Sequence, residues 1–247
     1  MRTTDALKMA GLAGALLAAS YTTSHAGLVD LGITNAGFED PSLGTPGGFT
    51  TSVPGWLQTG NAGVFEPVIP ATYASIPEGA QVAFIHETGS LYQVLGSQLV
   101  AGANYALSVQ VGDRGDLDAF GAMLDIGGFR VALYLEDLGN PGNLGAATLL
   151  GEATAPSPGD GSFTDVTVNY LAPGVLGALA GRNLIVALFG GVVPAPETVN
   201  QVNFDDVRLT QLTEDQQPDP GRIPEPATLA LFGLGLAGLG FARRRRG

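Results

Sequence analysis

The sequence of 247 residues contains no cysteine, one tryptophan, two histidines and one lysine. The absence of cysteine excludes disulfides, thiolate zinc sites and cysteine nucleophiles. Outside the N-terminal segment the only histidine is His86, which has no second histidine with which to share a zinc ion. No Gly-x-Ser-x-Gly pattern is present either, so there is no sign of a serine hydrolase. These absences lead us to expect a protein that is not an enzyme.

Basic residues are few, with 11 Lys and Arg against 23 Asp and Glu, and the formal net charge is −12. Six of the basic residues lie in the two terminal segments described below, so the central part carries a net charge near −16. A surface this acidic repels phosphate backbones, and we expect no nucleic-acid partner. It suits solubility and divalent-cation binding better.

The N-terminal 26 residues have the layout of a secretory signal peptide. Arg2 and Lys8 precede an apolar run at 9–19, and Ser24-His25-Ala26 forms a small-residue site. The run is shorter than the roughly 20 residues of a bilayer-spanning helix. Cleavage after Ala26 is therefore expected, and an uncleaved anchor or a buried helix is the alternative.

The C-terminal segment, 223–247, has three parts in a fixed order: Pro224-Glu225-Pro226, an apolar run at 227–242 predicted to form a single hydrophobic helix, and the cluster Arg243, Arg244, Arg245 and Arg246. Four arginines resist translocation and remain cytoplasmic, which leaves the prolines and Glu225 on the outer face. The segment resembles the PEP-CTERM sorting signal. That resemblance implies an exosortase partner, a transient inner-membrane anchor, and a final location at the outer surface or in the exopolysaccharide matrix of a Gram-negative bacterium. A permanent membrane anchor is the alternative.

The central part, 27–212, shows short β-type runs between clusters of Gly, Pro, Asn and Asp, and this spacing predicts an antiparallel sandwich. The predicted strands are 56–59, 81–86, 90–95, 105–112, 129–136, 147–154, 163–170, 184–189 and 201–210. A loop is predicted at 113–125 and a loop or helical turn at 175–180. In the last strand, Val202 and Phe204 share a face with Val207 and Leu209 only if the chain bulges near Asp205. The polar, proline-interrupted stretch at 213–222 is predicted to be a linker.

Four short sequences occur in an order that resembles galactose-binding-like jelly-roll domains, including many carbohydrate-binding modules. They are Asn35-Ala36-Gly37-Phe38-Glu39, Val53-Pro54-Gly55-Trp56, the strand around Tyr105, and the last strand with Asp205-Asp206. The resemblance implies a structural calcium ion held by Glu39 and Asp205, with Glu78 as a weaker third ligand. Solvated acids at strand ends are the alternative.

Aromatic residues are the natural candidates for stacking against sugar rings. Tyr73, Tyr92 and Tyr134 are possible ligand-binding residues, although their spacing does not single them out. Trp56 follows Pro54-Gly55 at a strand start, where a lone tryptophan is more often part of the core. The sequence thus favours an exported, non-catalytic, glycan-binding β-sandwich with calcium. A structural or adhesive matrix protein and, less strongly, a polysaccharide hydrolase are the alternatives.

Overall fold

The computed structural model describes residues 28–116, 126–191 and 200–213, and these form an antiparallel, all-β fold. The ten strands are β1 (Val29–Asp30), β2 (Phe49–Thr50), β3 (Leu57–Phe65), β4 (Val82–Gln98), β5 (Asn104–Asp113), β6 (Phe129–Leu135), β7 (Thr148–Ala153), β8 (Ser162–Leu171), β9 (Asn183–Gly190) and β10 (Gln201–Leu212). Two short 3-10 turns, Leu144–Ala146 and Gly177–Leu179, lie in loops. The predicted signal peptide, linker and sorting segment, and residues 117–125 of the predicted loop, lie outside the described residues.

Strands β3 and β4 pass from one layer of the fold into the other. Residues 83–86 of β4 pair with β10, whereas residues 89–98 pair with β9. The crossing point needs close backbone approach: a Cβ atom at Gly89 would lie 2.7 Å from the Thr59 carbonyl oxygen, and Gly60 has a φ of +69°. Glycine is the residue that tolerates both conditions. The strands predicted at 81–86 and 90–95 are therefore one continuous, bent strand.

The two layers enclose one main core. The first layer runs β3-β4-β10-β5-β8, with β1 on β10 and β2 on β3, and the second runs β4-β9-β6-β7. Alternate residues of β5 and β6 point inward, including Leu107, Val109, Val131 and Leu133, all fully buried. Burial of such side chains contributes about 1.5–3 kcal/mol each. The alternation read from the sequence is confirmed.

The predicted bulge is present in β10. The pairing register of β10 with β5 shifts between Asp205 and Arg208, and Asp206 has a φ of +48°. The extra residue returns Val207 and Leu209 to the core face used by Val202 and Phe204. Trp56 packs against Phe38 with ring centroids 5.2 Å apart, so it belongs to the core as expected.

No helix among the described residues is long and apolar enough to cross a membrane.

Candidate functional site

The outer face of the first layer carries two aromatic rings in a single rung. Phe84, Asn203, Gly112 and Phe163 are neighbours across β4, β10, β5 and β8. The Phe163 ring lies flat over Gly112, where a Cβ atom would come within 2.5 Å of the ring, and Phe84 lies over Gly63 in the same way. The lack of a side chain at both glycines therefore leaves room for the aromatic rings. Asn203 lies between the two rings in the rung.

Tyr73 covers this rung. Its ring centroid is 4.5 Å from that of Phe163, and its hydroxyl donates to Asn203 Oδ1 over 2.9 Å. The Asn203 amide in turn donates to the Ala83 carbonyl over 2.9 Å. Burial raises the pKa of Tyr73 well above its ordinary value, although the charge of Arg114 opposes the rise. Tyr73 is therefore a neutral donor, and with 0% exposure it offers no open stacking face.

A charged pair borders the covered rung. Arg114 donates to both carboxylate oxygens of Asp116 over 2.8 Å, and the Thr72 hydroxyl donates to the same carboxylate over 3.0 Å. The Arg114 guanidinium lies 4.6 Å from the centre of the Phe65 ring and donates to the Gln201 side chain over 3.3 Å. Burial alone raises the pKa of Asp116, but its bonds with Arg114 outweigh burial and lower it. Asp116 is therefore an ionised anchor rather than a proton donor.

Beside the covered rung runs an open groove of about 460 Å³. One wall is the segment 74–77, and the floor and far wall include Gln110, Gly161, Ser162, Phe163 and Asp206. A volume of this size suits a small organic ligand. The groove combines an aromatic ring with an amide and a carboxylate, so it can both contact a ring and hydrogen-bond its polar substituents.

The carboxylates predicted to bind calcium border one loop, 78–81. Glu39 accepts hydrogen bonds from the backbone amides of Ala80 and Gln81, each over 2.8 Å. Asp205 accepts from the amides of Glu78 and Asp206, over 2.9 and 2.7 Å. The Glu78 carboxylate occupies the space that a Cβ atom would need at Gly37. The structure thus brings the three acids to the same neighbourhood.

Asp205 is the fully buried member of this group. Burial raises its pKa to about 8, with the nearby charges of Glu78 and Asp206 acting in the same direction and two backbone hydrogen bonds opposing them. Calcium prefers oxygen ligands, and its positive charge would stabilise the ionised form of the buried Asp205 carboxylate. Within the described ranges, however, no three His, Cys, Asp or Glu side chains converge to hold a metal ion. The residue types fit the ion, and the calcium assignment stays a prediction.

The three candidate tyrosines do not share one surface. Tyr92 and Tyr134 lie on the outer face of the second layer, on the opposite side of the core from Tyr73. The Tyr92 hydroxyl donates to the Gly142 carbonyl over 3.2 Å, and Tyr134 lies 6.3 Å from Phe189, centroid to centroid. A single platform made of all three is not formed. The residues Pro224 to Pro226 and Arg243 to Arg246 lie outside the described part of the chain.

Sequence reasoning named Asp205 but missed the other two polar residues of a row on β10. Gln201, Asn203 and Asp205 alternate with Val202 and Phe204, and all three polar residues are buried. Two amide side chains at alternate positions of a strand indicate that its outer face takes part in hydrogen bonding. Whether these amides are buried depends on the segment around Tyr73 that covers them. Phe163 and Gln110 of the groove were missed for the same reason.

Comparison with known families gives two matches. The HpiC1-like family, described as HpiC1 cyclase, matches residues 29–210. The PEP-CTERM protein-sorting motif matches residues 222–246, which confirms the predicted sorting signal. Comparison with curated proteins gave no match.

Solved structures give the same answer for the sandwich. A Stig cyclase, Fisc from Fischerella sp. TAU, in complex with (3Z)-3-(1-methyl-2-pyrrolidinylidene)-3H-indole, is 28% identical, with 76% of this chain and 100% of that chain covered and a TM-score of 0.62. A Fischerella sp. TAU cyclase in complex with 4-(1H-indol-3-yl)butan-2-one is 27% identical, with coverages of 75% and 99% and a TM-score of 0.59. A carbohydrate-binding module in complex with beta-1,4-galactotriose is 16% identical, with coverages of 71% and 94% and a TM-score of 0.41, a likeness of fold that carries no functional argument.

These matches correct one expectation. The sequence led us to predict a protein that is not an enzyme, and this is wrong because both the matching family and the similar solved structures are cyclases. The galactose-binding-like resemblance anticipated the sandwich but not the family. Through residues 29–210, the chain belongs to the HpiC1-like cyclase family.

Proposed function

We propose that this protein is an exported cyclase-family enzyme that binds a small, ring-containing organic molecule in the groove beside Phe163 and promotes its ring closure. The observation that carries the proposal is the match to the cyclase family over residues 29–210. The groove of about 460 Å³ supports it, because it lies open on the outer face next to the covered aromatic rung.

The groove contains chemical groups that such a reaction can use. Phe163 supplies a ring edge for the substrate, and the Gln110 amide supplies hydrogen bonds. Asp206 is the only ionisable side chain that lines the groove among the described residues. Ring closure by isomerisation adds a proton at one substrate atom and removes one from another, so a carboxylate in reach can carry the proton between them. We assign that role to Asp206.

Asp206 forms an ion pair with an exposed arginine. Its carboxylate lies 2.7 Å from Arg208, whose side chain is largely exposed. Exposed ion pairs contribute only about 0–1 kcal/mol, so a substrate can displace Arg208 at small cost.

The test separates binding from turnover. Saturation-transfer NMR with 4-(1H-indol-3-yl)butan-2-one as probe is expected to detect binding to the wild-type protein. Most of this signal is expected to be absent with Phe163→Ala. Turnover is followed by mass spectrometry as products of unchanged mass and altered retention from a panel of unsaturated indoles. Asp206→Asn is expected to bind normally and to lose turnover at least tenfold. Asparagine tolerates the positive φ at this position, so the fold is preserved.

The matched control is Asp165→Asn. Asp165 is an exposed acid on β8, two strands away from Asp206 in the same layer, and does not line the groove. Its variant is expected to behave as wild type. If Asp206→Asn and wild type turn over equally, Asp206 has no role in proton transfer, and if no probe binds, the groove is not the ligand site.

Glycan binding is the second candidate function. It is supported by the mixture of one aromatic ring, an amide and a carboxylate along the groove, which suits a hydroxyl-rich ring as well. A glycan array distinguishes the two candidates: selective glycan binding that Phe163→Ala abolishes favours this second function, and a blank array with indole binding favours the first.

We also propose that the chain is exported and cut near Pro224-Glu225-Pro226 by an exosortase, as the sorting motif at 222–246 implies. Replacing Glu225 with alanine is expected to leave the tail attached in the native host. Intact mass spectrometry reads this directly, with Glu214→Ala in the preceding stretch as control. Wild-type protein that retains its tail contradicts the processing.

A further inference from the structure

An exposed apolar surface lies at one end of the sandwich, where the described chain both begins and ends. A groove of about 430 Å³ is lined there by residues of β5, β8 and β10 together with Leu28, and its apolar members include Leu28, Leu171 and Leu212. Leu28 is 71% exposed and Leu171 61%. We call this end of the molecule, with the loops described next, the exit surface.

Two loops extend the exit surface. The loop after β4 and the loop after β8 are joined by hydrogen bonds from the Gly102 amide to the Pro173 carbonyl, over 3.1 Å, and from the Ala172 amide to the Ala103 carbonyl, over 2.9 Å. Val175, at the tip of the second loop, is 85% exposed, and Val100 in the first is also exposed. Exposed aliphatic side chains therefore occur on these two joined loops as well as along the groove, and clustered exposed apolar side chains mark interaction surfaces.

The charge of the exit surface differs from that of the rest of the chain. Residues 99–107 and 166–182 contain no acidic residue and end with Arg182, and residues 207–213 contain no acidic residue either. The whole sequence nevertheless carries 23 acidic residues against 11 basic ones. Asp30 pairs with Thr210 at this end, Glu136 binds Asn183 next to Arg182, and Glu214 and Asp215 follow the described chain directly. Among the described residues, strands and loops without acids are repelled less by an anionic membrane than the rest of this acidic protein.

The length of chain between β10 and the sorting motif limits how far the exit surface can lie from the membrane. Strand β10 ends at Leu212, and the sorting motif begins at residue 222. A ten-residue connection spans at most about 35 Å, and about 17–19 Å on average if it is flexible. The motif's apolar run at 227–242 and its four arginines are the parts that a membrane holds before processing. The exit surface is therefore the part of the sandwich that the chain keeps closest to the bilayer.

We infer that the exit surface docks on the lipid bilayer while the sorting segment is still attached, with Leu28, Leu171 and Val175 inserted among the headgroups. The inference rests on the proposed membrane processing of the C-terminus. Docking of this kind turns the opposite end of the sandwich, where Arg114 lies after β5, away from the lipid. It also restrains the domain, so that the start of the connection at 213–222 stays at a constant distance from the membrane.

The absence of native cysteine makes a site-specific test simple. Full-length unprocessed protein carrying Leu171→Cys or Val175→Cys is labelled with bimane and reconstituted into vesicles of phosphatidylethanolamine and phosphatidylglycerol. Headgroup-labelled nitroxide lipid is expected to quench these labels at least twofold more than a label at Phe49→Cys. Phe49 is a matched control because it is 69% exposed and apolar but lies on β2, away from the exit surface.

A second variant tests the chemistry of docking. Leu171→Glu combined with Val175→Glu is expected to reduce quenching of a label at Val100→Cys at least twofold while the protein still floats with the vesicles. Both positions are exposed, so folding is not at risk.

Each other outcome overturns the inference in a distinguishable way. Equal quenching at positions 171, 175 and 49 in protein that floats with vesicles overturns docking and leaves the sorting proposal standing. Protein that does not float overturns both. Shielding of the labels without lipid, together with a doubled mass by light scattering, shows that a second copy covers the surface instead.

Discussion

The two outer faces of the sandwich are both covered, but by different kinds of contact. On the first layer, Tyr73, Asn203 and Gln201 are joined by directional hydrogen bonds beneath the segment 67–81. On the second layer, the cluster of Ala132, Tyr134, Ile185 and Ala187 is covered by apolar residues around the 3-10 turn Leu144–Ala146. Apolar packing tolerates small changes, whereas a buried polar network is costly once a single partner is lost.

This difference also explains where ligand chemistry is found. The first face holds the open groove, the ionised Arg114–Asp116 pair and the perturbed Asp205. Among the described residues, the ion pair on the second face is Arg130 with Glu152, over 2.7 Å. Experiments that compare matched substitutions on the two faces can therefore break or sharpen the assignment of function to the first.

The largest expected effect is the pH dependence contributed by Asp205. Because the folded pKa, about 8, lies above the unfolded value, the folded protein holds the proton more tightly. The stabilising effect of that proton is fully present below about pH 4 and is lost as pH rises to about 8, at up to about 1.4 kcal/mol per pH unit. Without divalent cations, urea unfolding is expected to show this loss, and Asp205→Asn to flatten the slope. An exposed acid on the second face, changed in Glu152→Gln, is the control.

Calcium reverses this slope if the proposed site exists. A cation that binds the ionised carboxylate stabilises the folded protein most at the alkaline end, by RT ln(1 + [L]/Kd). Wild-type protein at pH 8 is expected to melt at a higher temperature in calcium than in chelator, and Asp205→Asn is expected to show no difference. Identical melting temperatures of the wild-type protein in calcium and in chelator would contradict calcium binding.

A loss of about 3 kcal/mol is expected for Asn203→Ala. The substitution leaves the Tyr73 hydroxyl and the Ala83 carbonyl buried without their partner, at about 1–3 kcal/mol each. Asn169→Ala, at an exposed position of β8, is expected to stay within about 0.5 kcal/mol. Equal free energies of unfolding for the two variants in urea would show that the hydrogen-bond network on the first face does not stabilise the fold.

The smallest effect comes from removing single hydroxyls on the two faces. Tyr73→Phe removes a buried hydrogen bond and is expected to cost about 1–2 kcal/mol. Tyr92→Phe removes a longer bond at a half-buried position and is expected to cost about 0.5 kcal/mol. A larger loss for Tyr92→Phe than for Tyr73→Phe in thermal melts would reverse the ranking of the two faces.

The strands and the bulge were predictable, and the site was only partly so. A change in the phase of apolar residues around Asp205 reveals the bulge, because the period of two in a strand cannot otherwise keep Val202 and Leu209 on one face. The polar interruption at Glu87 to Gly89 suggested two strands. The structure instead bends one strand there, which a local pattern cannot distinguish from a turn.

The candidate site could not be predicted because its members meet only after folding. Tyr73 lies 130 residues before Asn203, and Phe163 reaches the same rung through the pairing of β5 with β8. The calcium assignment named Glu39, Glu78 and Asp205 from a resemblance, and the fold places them around one loop. The function class was missed because the expectation rested on the absence of cysteine, of a second histidine and of a Gly-x-Ser-x-Gly pattern, and those absences exclude only some classes of enzyme.

The sequence by itself determined the alternating strands, the acidic character and the order of parts in the sorting motif, because each depends on neighbours within a few residues. Tertiary structure alone decided that Tyr73 is buried, that Phe163 lies over Gly112 beside an open groove, and that the acid-free loops share the end from which the chain leaves. Strand periodicity is local, whereas the pairing of distant strands and the burial of a polar row depend on which segment covers the sheet.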